Sequence, residues 1–479
     1  MTKQFIHTYK PAMEITMVGF GQAGSRIVDV FAKYQTNGTQ TYNCLAFNSN
    51  NGDLKGLTYI DPKNRVSLEI GGMGKNPEKA MKLLNSDENA IKIMNDFISK
   101  KIRTNDDLTI FFAGLGGGTG TATIVKAITD FHNYHNKPKI KAVLEAMIER
   151  YGREDYEKDK NNFHKKAFQI AEENFLKLGV VACLPLREDG SDVLRQVNEF
   201  AQEIWKLGND VTKSVAFVCF PDNQFFLDEF DKLPAEEKKR LDNYRDYANE
   251  EIAQTIHEIN VCANIGGTSV VLDSQDLKRA WTEHKGCLIL SRQEVPINAL
   301  QDSADITKLF SESLQKSNLH GKVNLIANNE AVSKVHHVGL LGIIDKSKES
   351  EKFGRGSFID NAAEKVHDVL SISGSSTVFR GYVNEDNSNN VSVYSFYKAE
   401  VLPERLEKGL VKEYEQYIEN DKKLKFAEVE IEKIQAHSTT DTDAFADLGI
   451  DLFEDEPKDK VEEKENSTKE KFADFDFSF

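Results

Sequence analysis

The chain has no apolar run near the roughly 20 residues that a membrane-spanning helix needs. Its N-terminus lacks the charged-then-apolar pattern of a secretory leader. A cytoplasmic location is expected. Cysteine is scarce: Cys44, Cys183, Cys219, Cys262 and Cys287 lie scattered in or beside apolar runs, with no CxxC pair. That usage argues against a disulfide framework or a thiolate metal site and predicts reduced packing residues. Positive charge is short as well, with 61 Lys and Arg against 77 Asp and Glu and a net charge of −16. A broad nucleic-acid-binding face needs the opposite balance, so DNA is expected to be reached only through a local patch or a DNA-bound partner. No Gly-Lys-Ser/Thr triplet closes a glycine loop, which removes a Walker-type nucleotide site.

What is present is a chain of 479 residues, 39% hydrophobic, long enough for two or three domains with sizeable cores. Its most informative stretch is Phe111-Phe112-Ala113-Gly114-Leu115-Gly116-Gly117-Gly118-Thr119-Gly120-Thr121-Ala122. An apolar strand, Leu108 to Phe112, runs into a loop from Gly116 to Gly120, and a helical pattern follows from Thr121 to Phe131. Glycines let a backbone approach an anion closely. Successive N–H groups with a helix N-terminus behind them make a phosphate cradle. A flexible linker would not be flanked by a buried strand and an amphipathic helix.

Strand-length apolar runs alternate with helical stretches along the first half of the chain: Ile15–Phe20, Tyr42–Phe47, Leu108–Phe112, Val180–Pro185 and Val215–Phe220. That alternation predicts an α/β fold with a parallel sheet covered on both faces and its ligand at the carboxyl ends of the strands. The expected organisation is an extension over 1–12, a nucleotide-binding domain over 13–242, a long central helix over 243–263, a smaller α+β domain over 264–402 and a C-terminal helix over 403–436. A polar, mostly helical insertion is expected at 151–178, on the rim. Residues 437–479 hold fourteen acidic and five basic residues and should form a disordered acidic tail. Within it, Phe445-Ala446-Asp447 and Phe472-Ala473-Asp474 repeat a short motif suited to a docking peptide. His132 and His135 form an HxxH on a polar helix end, expected to be a surface pair.

The first strand ends in Gly19-Phe20-Gly21-Gln22-Ala23-Gly24, formally a GxGxxG. A dinucleotide site would need an acid at the end of the second strand. That strand ends instead at Phe47-Asn48-Ser49-Asn50, with no acid before Asp53. Two glycine-rich loops from neighbouring strands suit a nucleoside triphosphate held end-on.

With these loops together, the chain resembles the tubulin/FtsZ family of GTPases, and within it the plasmid- and phage-borne segregation tubulins called TubZ. The run Gly116-Gly117-Gly118-Thr119-Gly120-Thr121 resembles the tubulin signature, with Ala122 where a final glycine usually stands. Gly21-Gln22-Ala23-Gly24, with Arg26 in the helix behind, resembles the first phosphate loop, and Asn48-Ser49-Asn50 the second. Gly71-Gly72-Met73-Gly74-Lys75-Asn76 resembles the third, which faces the γ-phosphate in the family. Phe220-Pro221-Asp222-Asn223 and Ala248-Asn249 resemble the two segments whose asparagines contact guanine, an edge that offers donors and an acceptor to an amide. Arg187 and Asp189 are placed near the ribose. Ile256 to Asn260 and Tyr397 to Arg405 resemble the TubZ branch. The resemblance implies a tubulin-like fold, GTP or GDP as ligand, and Mg²⁺ carried by the phosphates, with no protein metal ligand assigned.

The resemblance also implies catalysis. Asp273 and Asp276, in Val271-Leu272-Asp273-Ser274-Gln275-Asp276-Leu277, would cap the nucleotide of the next subunit and polarise the attacking water. Without the family, the same pair reads as a helix cap. The implied function is an assembly-dependent GTPase forming head-to-tail filaments, which move plasmid or phage DNA through a DNA-bound adaptor reached by the C-terminal region. No membrane insertion is expected. The alternatives are a cell-division protein of the FtsZ type, a non-polymerising GTP-binding regulator and a dinucleotide-dependent oxidoreductase.

Overall fold

The structure, a computed structural model, describes residues 9–423 except 266–269, 324, 328–329, 332–333, 355, 373 and 386–387. The expected tail and the end of the expected C-terminal helix lie outside the described residues. Ten strands form the main sheet: β1 Ile15–Phe20, β2 Asn43–Asn48, β3 Arg65–Ser67, β4 Leu108–Gly114, β5 Leu178–Cys183, β6 Val215–Cys219, β7 Cys287–Pro296, β8 Val335–Asp345, β9 Val378–Glu385 and β10 Asn390–Ala399. Their order across the sheet is β9-β8-β10-β7-β6-β5-β4-β1-β2-β3.

From β3 to β6 every neighbouring pair is parallel. Beyond the join, β7 and β10 pair antiparallel, as do β10 and β8, while β8 and β9 are parallel. The two expected domains therefore share one sheet. They meet at a single register pair, Val218↔Cys287, backed by Val218 N–H donating to Gly286 O at 3.1 Å. All residues of β1, β2, β5 and β6 are buried, as a sheet covered on both faces requires. Alternation along β4 sends Phe111 to one core and Phe112 to the other. Phe111 meets Phe20 edge-on at 5.0 Å, and Phe112 meets Phe31 at 5.4 Å.

Seven helices carry or support the residues of interest: α1 Gly21–Ala32, α2 Pro77–Ser86, α3 Gly118–Phe131, α4 Ser191–Asn209, α5 Tyr244–Cys262, α6 Ser274–Thr282 and α7 Leu410–Lys423. The central helix α5 starts at Asn243, whose side chain accepts from the N–H groups of Arg245 and Asp246, and buries Ile252, Ile256 and Ile259 against the sheet. A helical pair, Lys137–Tyr151 and Lys160–Glu172, packs together through a link at Arg153–Lys158. It starts well before the expected 151 boundary, because Pro138 in a first turn begins a new helix there.

His132 and His135 are not a surface pair. Both are buried in the π-helical turn His132–Asn136, with His135 Nε2 at 2.9 Å from Ile98 O. Burial pushes the His132 imidazole down to about 4.

Gly24 marks where α1 crosses β4. A Cβ there would lie 2.0 Å from Phe112 O. Gly24→Ala should destabilise the fold by about 1–3 kcal/mol, because backbone must move to admit the methyl. A urea titration of both proteins measures this, and an unchanged midpoint would contradict it.

Candidate nucleotide site

Strands β1 and β4 are sheet neighbours, with Phe20 in register with Ala113. Each leads into a helix at its carboxyl end. The N-cap of α1 is Phe20 and that of α3 is Gly117, and neither supplies a side-chain cap. The first N–H groups of a helix have no partner inside it. At several other helix starts Asn or Asp side chains answer them, as Asn76 does on α2, Asn243 on α5 and Asp273 on α6. At α1 and α3 no side chain answers them. The two helix starts also touch. Gly21 sits at φ +68°, and a Cβ on it would lie 2.8 Å from Gly120 N and Cα. Two uncapped, converging N-termini concentrate partial positive charge, which favours an anion. A third, α4 behind Gly190, follows the next strand, β5.

The glycine run is shorter as a loop than expected. Gly118, Thr119 and Gly120 already belong to α3. The reason is packing: a Cβ at Gly118 would lie 2.8 Å from Asn76 N and 2.9 Å from Met73 Cβ, and one at Gly120 would lie 3.0 Å from Phe20 O. Gly118 is therefore where the third loop leans on α3, and a side chain there would displace that loop. Gly117 differs. Its Cβ would meet nothing within 4 Å, so the space in front of the helix starts is open at this residue. Gly116 faces Pro185, whose Cβ would lie 3.0 Å from an added methyl. Thr121 is buried, its hydroxyl donating to Leu115 O at 2.9 Å and Gly117 O at 2.5 Å. It shapes the turn from behind.

The other loops close around this turn. Lys75, at φ +57°, donates from Nζ to Asp189 Oδ1 at 2.8 Å, tying the third loop to the segment after β5. Glycines 72 and 74 beside it border open space. In the second loop, Asn48 is engaged locally, accepting from Ser49 N at 2.7 Å and donating to Asp53 at 3.0 Å. Ser49 makes the link to the glycine helix, with Oγ 2.7 Å from Thr119 Oγ1. Sequence reasoning assigned Asn48 and passed over Ser49, because nothing in a three-residue run says which side chain turns toward a distant helix.

Gln22 and Ala23 are exposed in the first turn of α1. Arg26 and Asn249 line one cavity of about 360 Å³ between α1 and α5. Asn223, half-buried, opens the helix Asn223–Phe230. Arg187 turns the other way, its Nε donating to Glu413 of α7 at 3.1 Å. Tyr244, at the start of α5, was not picked out from sequence. Burial raises its phenol, with the charges of Arg245, Asp189 and Lys75 acting on it as well.

No family model matches the chain. The tubulin-like protein TubZ of Bacillus thuringiensis subsp. israelensis is 24% identical over 284 residues, 54% of this chain and 50% of TubZ. The tubulin-like protein CetZ of Pyrococcus furiosus is 32% identical over 116 residues, 22% of this chain and 29% of CetZ. The matched stretch thus spans half of one relative and less than a third of the other. A solved GTPγS-form protofilament of B. thuringiensis serovar israelensis TubZ superposes with a TM-score of 0.61 at 16% identity, covering 88% of this chain and 94% of that one. The chain has a tubulin-like fold.

In this tubulin-like fold the acidic pair sits at the other end of the molecule. The central helix α5 spans 19 residues, about 28 Å at 1.5 Å per residue. Its first half, with Asp246 and Asn249, lines the cavity beside Arg26 of α1. Near its last turn, Asn260 bonds Met13 N and O, at the amino end of β1. α6 lies at that same end, where Lys278 Nζ meets Asp107 Oδ1 at 2.8 Å just before β4. Asp273 and Asp276 therefore lie across the sheet from the cradle at the carboxyl ends of β1 and β4. Within the subunit they form a capping box. Asp273 Oδ1 accepts from Gln275 N and Asp276 N, both at 2.9 Å, and Asp276 Oδ2 accepts from Asp273 N at 3.3 Å. Partial burial, with the Asp273 charge adding to it, raises the Asp276 carboxyl.

Glu283, His284 and His337 bring possible metal-ligating atoms within 4.8 Å of one another. His337 Nδ1 accepts from Thr377 N at 3.1 Å, so Nε2 carries the proton and gives it to Glu283 at 2.9 Å. That leaves His337 no lone pair for a metal.

Proposed function

We propose that this tubulin-like protein binds GTP at the α1–α3 cradle, assembles head-to-tail and hydrolyses GTP where the acidic end of one subunit meets the cradle of the next. One observation carries the reading: two uncapped, converging helix starts and a carboxylate pair lie at opposite ends of one sheet. Such ends are complementary between copies and not within one, and a heterologous contact of this kind extends into filaments. The TubZ protofilament with GTPγS supports it from outside.

In this reading the N–H groups at the starts of α1 and α3 hold the phosphates, and Lys75 leaves Asp189 to meet the terminal phosphate. Mg²⁺ would ride on phosphate oxygens and water. Asn223 and Asn249 read the guanine edge, with Tyr244 against the base and Asp189 near the ribose. Asp273 and Asp276 of the incoming subunit orient the attacking water, which suits a reaction governed by placement and charge. The resemblance to the segregation tubulins extends the proposal to plasmid or phage DNA moved through a DNA-bound adaptor.

Sedimentation with GTP, GDP and ATP tests the core of this. Pelleting that depends on GTP is expected, and a chain that stays in the supernatant under every condition would be a binding module instead. Asn223→Ala and Asn249→Ala should each weaken GTP by about 1–3 kcal/mol, since a base edge would be buried without its partner. Calorimetry reads this directly, and equal affinities for ATP and GTP in the unaltered protein would refute the assignment of both.

A further inference from the structure

The loops beside the cradle are held together by a residue far from them in sequence. Arg405 opens the turn Arg405–Gly409 that leads into α7, and its side chain is only 10% exposed. Its Nη1 donates to Pro185 O and to Asp222 Oδ1, both at 2.6 Å. Its other edge forms a two-pronged pair with Glu413, Nε to Oε1 at 3.0 Å and Nη2 to Oε2 at 2.9 Å. One guanidinium thus joins the segment after β5 to the turn after β6 and fastens both to α7.

Each joined piece carries a group assigned to the nucleotide. Pro185 leads to Asp189. Asp222 precedes Asn223, and its Oδ1 also accepts from Gln224 N at 2.9 Å, capping the helix that Asn223 opens. Two further bonds repeat the link to α7: Arg187 Nε to Glu413 Oε1 at 3.1 Å, and Tyr417 Oη to Arg187 O at 2.7 Å. The planar fork of arginine suits this double duty, and lysine could make only part of it. The phosphate side of the site, built from α1, α3 and the third loop, takes none of these bonds.

We propose that Arg405 is a positioning residue for base selectivity: it sets the turn bearing Asn223 against the segment bearing Asp189, without touching the phosphate cradle. The proposal rests on the nucleotide reading above. It separates two properties of the site, grip on the triphosphate and choice of base.

Calorimetry on the full chain with GTP, ATP and inorganic tripolyphosphate, each with Mg²⁺, tests it. In Arg405→Ala the preference for GTP over ATP should fall at least tenfold, while tripolyphosphate affinity stays within twofold. Arg405→Lys should recover part of the preference. An unchanged preference, or an equal loss for all three ligands, overturns the proposal. If Arg405→Ala does not stay folded in a thermal melt, Glu413→Gln decides: it keeps Arg405 on Asp222 and loosens only the tie to α7. A fall of about threefold in preference is then expected, and no change overturns the proposal. An unaltered chain that binds neither GTP nor ATP would overturn the nucleotide reading itself.

Discussion

Gly117→Asp should abolish nucleotide binding while leaving the protein as stable as before, or slightly more so. Gly117 is the N-cap of α3 with φ −108° and ψ 157°, extended backbone that any residue adopts. A side chain there meets no protein atom within 4 Å. An aspartate can therefore cap the orphan N–H groups of α3, a gain of a few tenths of a kcal/mol over glycine, aided by the helix dipole. In the proposed cradle the same carboxylate would take the place of a phosphate and repel the rest of it. Stability and binding should move in opposite directions, which loss of the fold cannot imitate. Gly117→Val, uncharged, should also block the site by bulk, at near-neutral stability. Fluorescent GTP titration beside a thermal melt checks both variants, and tight binding by either would mean that the cradle lies elsewhere. The Gly118 position cannot serve this purpose, because a side chain there meets Asn76 and Met73 first.

Asp273→Ala should bind GTP and assemble, yet release phosphate at least a hundredfold more slowly, a loss typical of removing a group that acts in the transition state. Its own proposed cradle, at the far end of the sheet, is untouched. Filaments should persist after the unaltered protein has disassembled, and mixing the two should slow the copolymer, because each altered loop silences the neighbouring site. For the unaltered chain, hydrolysis per subunit should rise with protein concentration from near zero below a threshold. The capping box makes a competing expectation definite. If Asp273 only accepts from Gln275 N and Asp276 N, its loss should cost about 0.5–2 kcal/mol of stability with normal turnover. A phosphate-release assay run beside a melt separates the two outcomes, and normal turnover in filaments would remove Asp273 from the mechanism.

Much of the fold was legible in the sequence where the signal is local. β1 occupies Ile15–Phe20 as expected, since six buried residues between turn-prone neighbours leave little choice. The central helix, expected over 243–263, spans Tyr244–Cys262. β7 runs on past its buried start, Cys287 to Ser291, to Pro296, because its polar continuation pairs with β10 from Arg292↔Tyr394 to Pro296↔Asn390. Such pairing partners leave no mark in the strand itself. The helix α3 starts three residues earlier than expected for a similar reason. Glycine is a poor helix former, but close contacts with Asn76 and Phe20 require glycine at those turns.

The site divides the same way. Glycine spacing, the absence of a Walker lysine and the carboxylate pair three apart are properties of short segments, and turn chemistry and helix caps follow from them directly. Sequence alone could therefore indicate a glycine turn suited to an anion and a capped acidic helix. It could not determine that these lie at opposite ends of one sheet, that Lys75 meets Asp189 across 114 positions, or that Arg405 meets Asp222 across 183. Contacts of that separation have no period or spacing of their own. They arise only when strand order and helix packing bring the segments together, and the tertiary structure alone decided them.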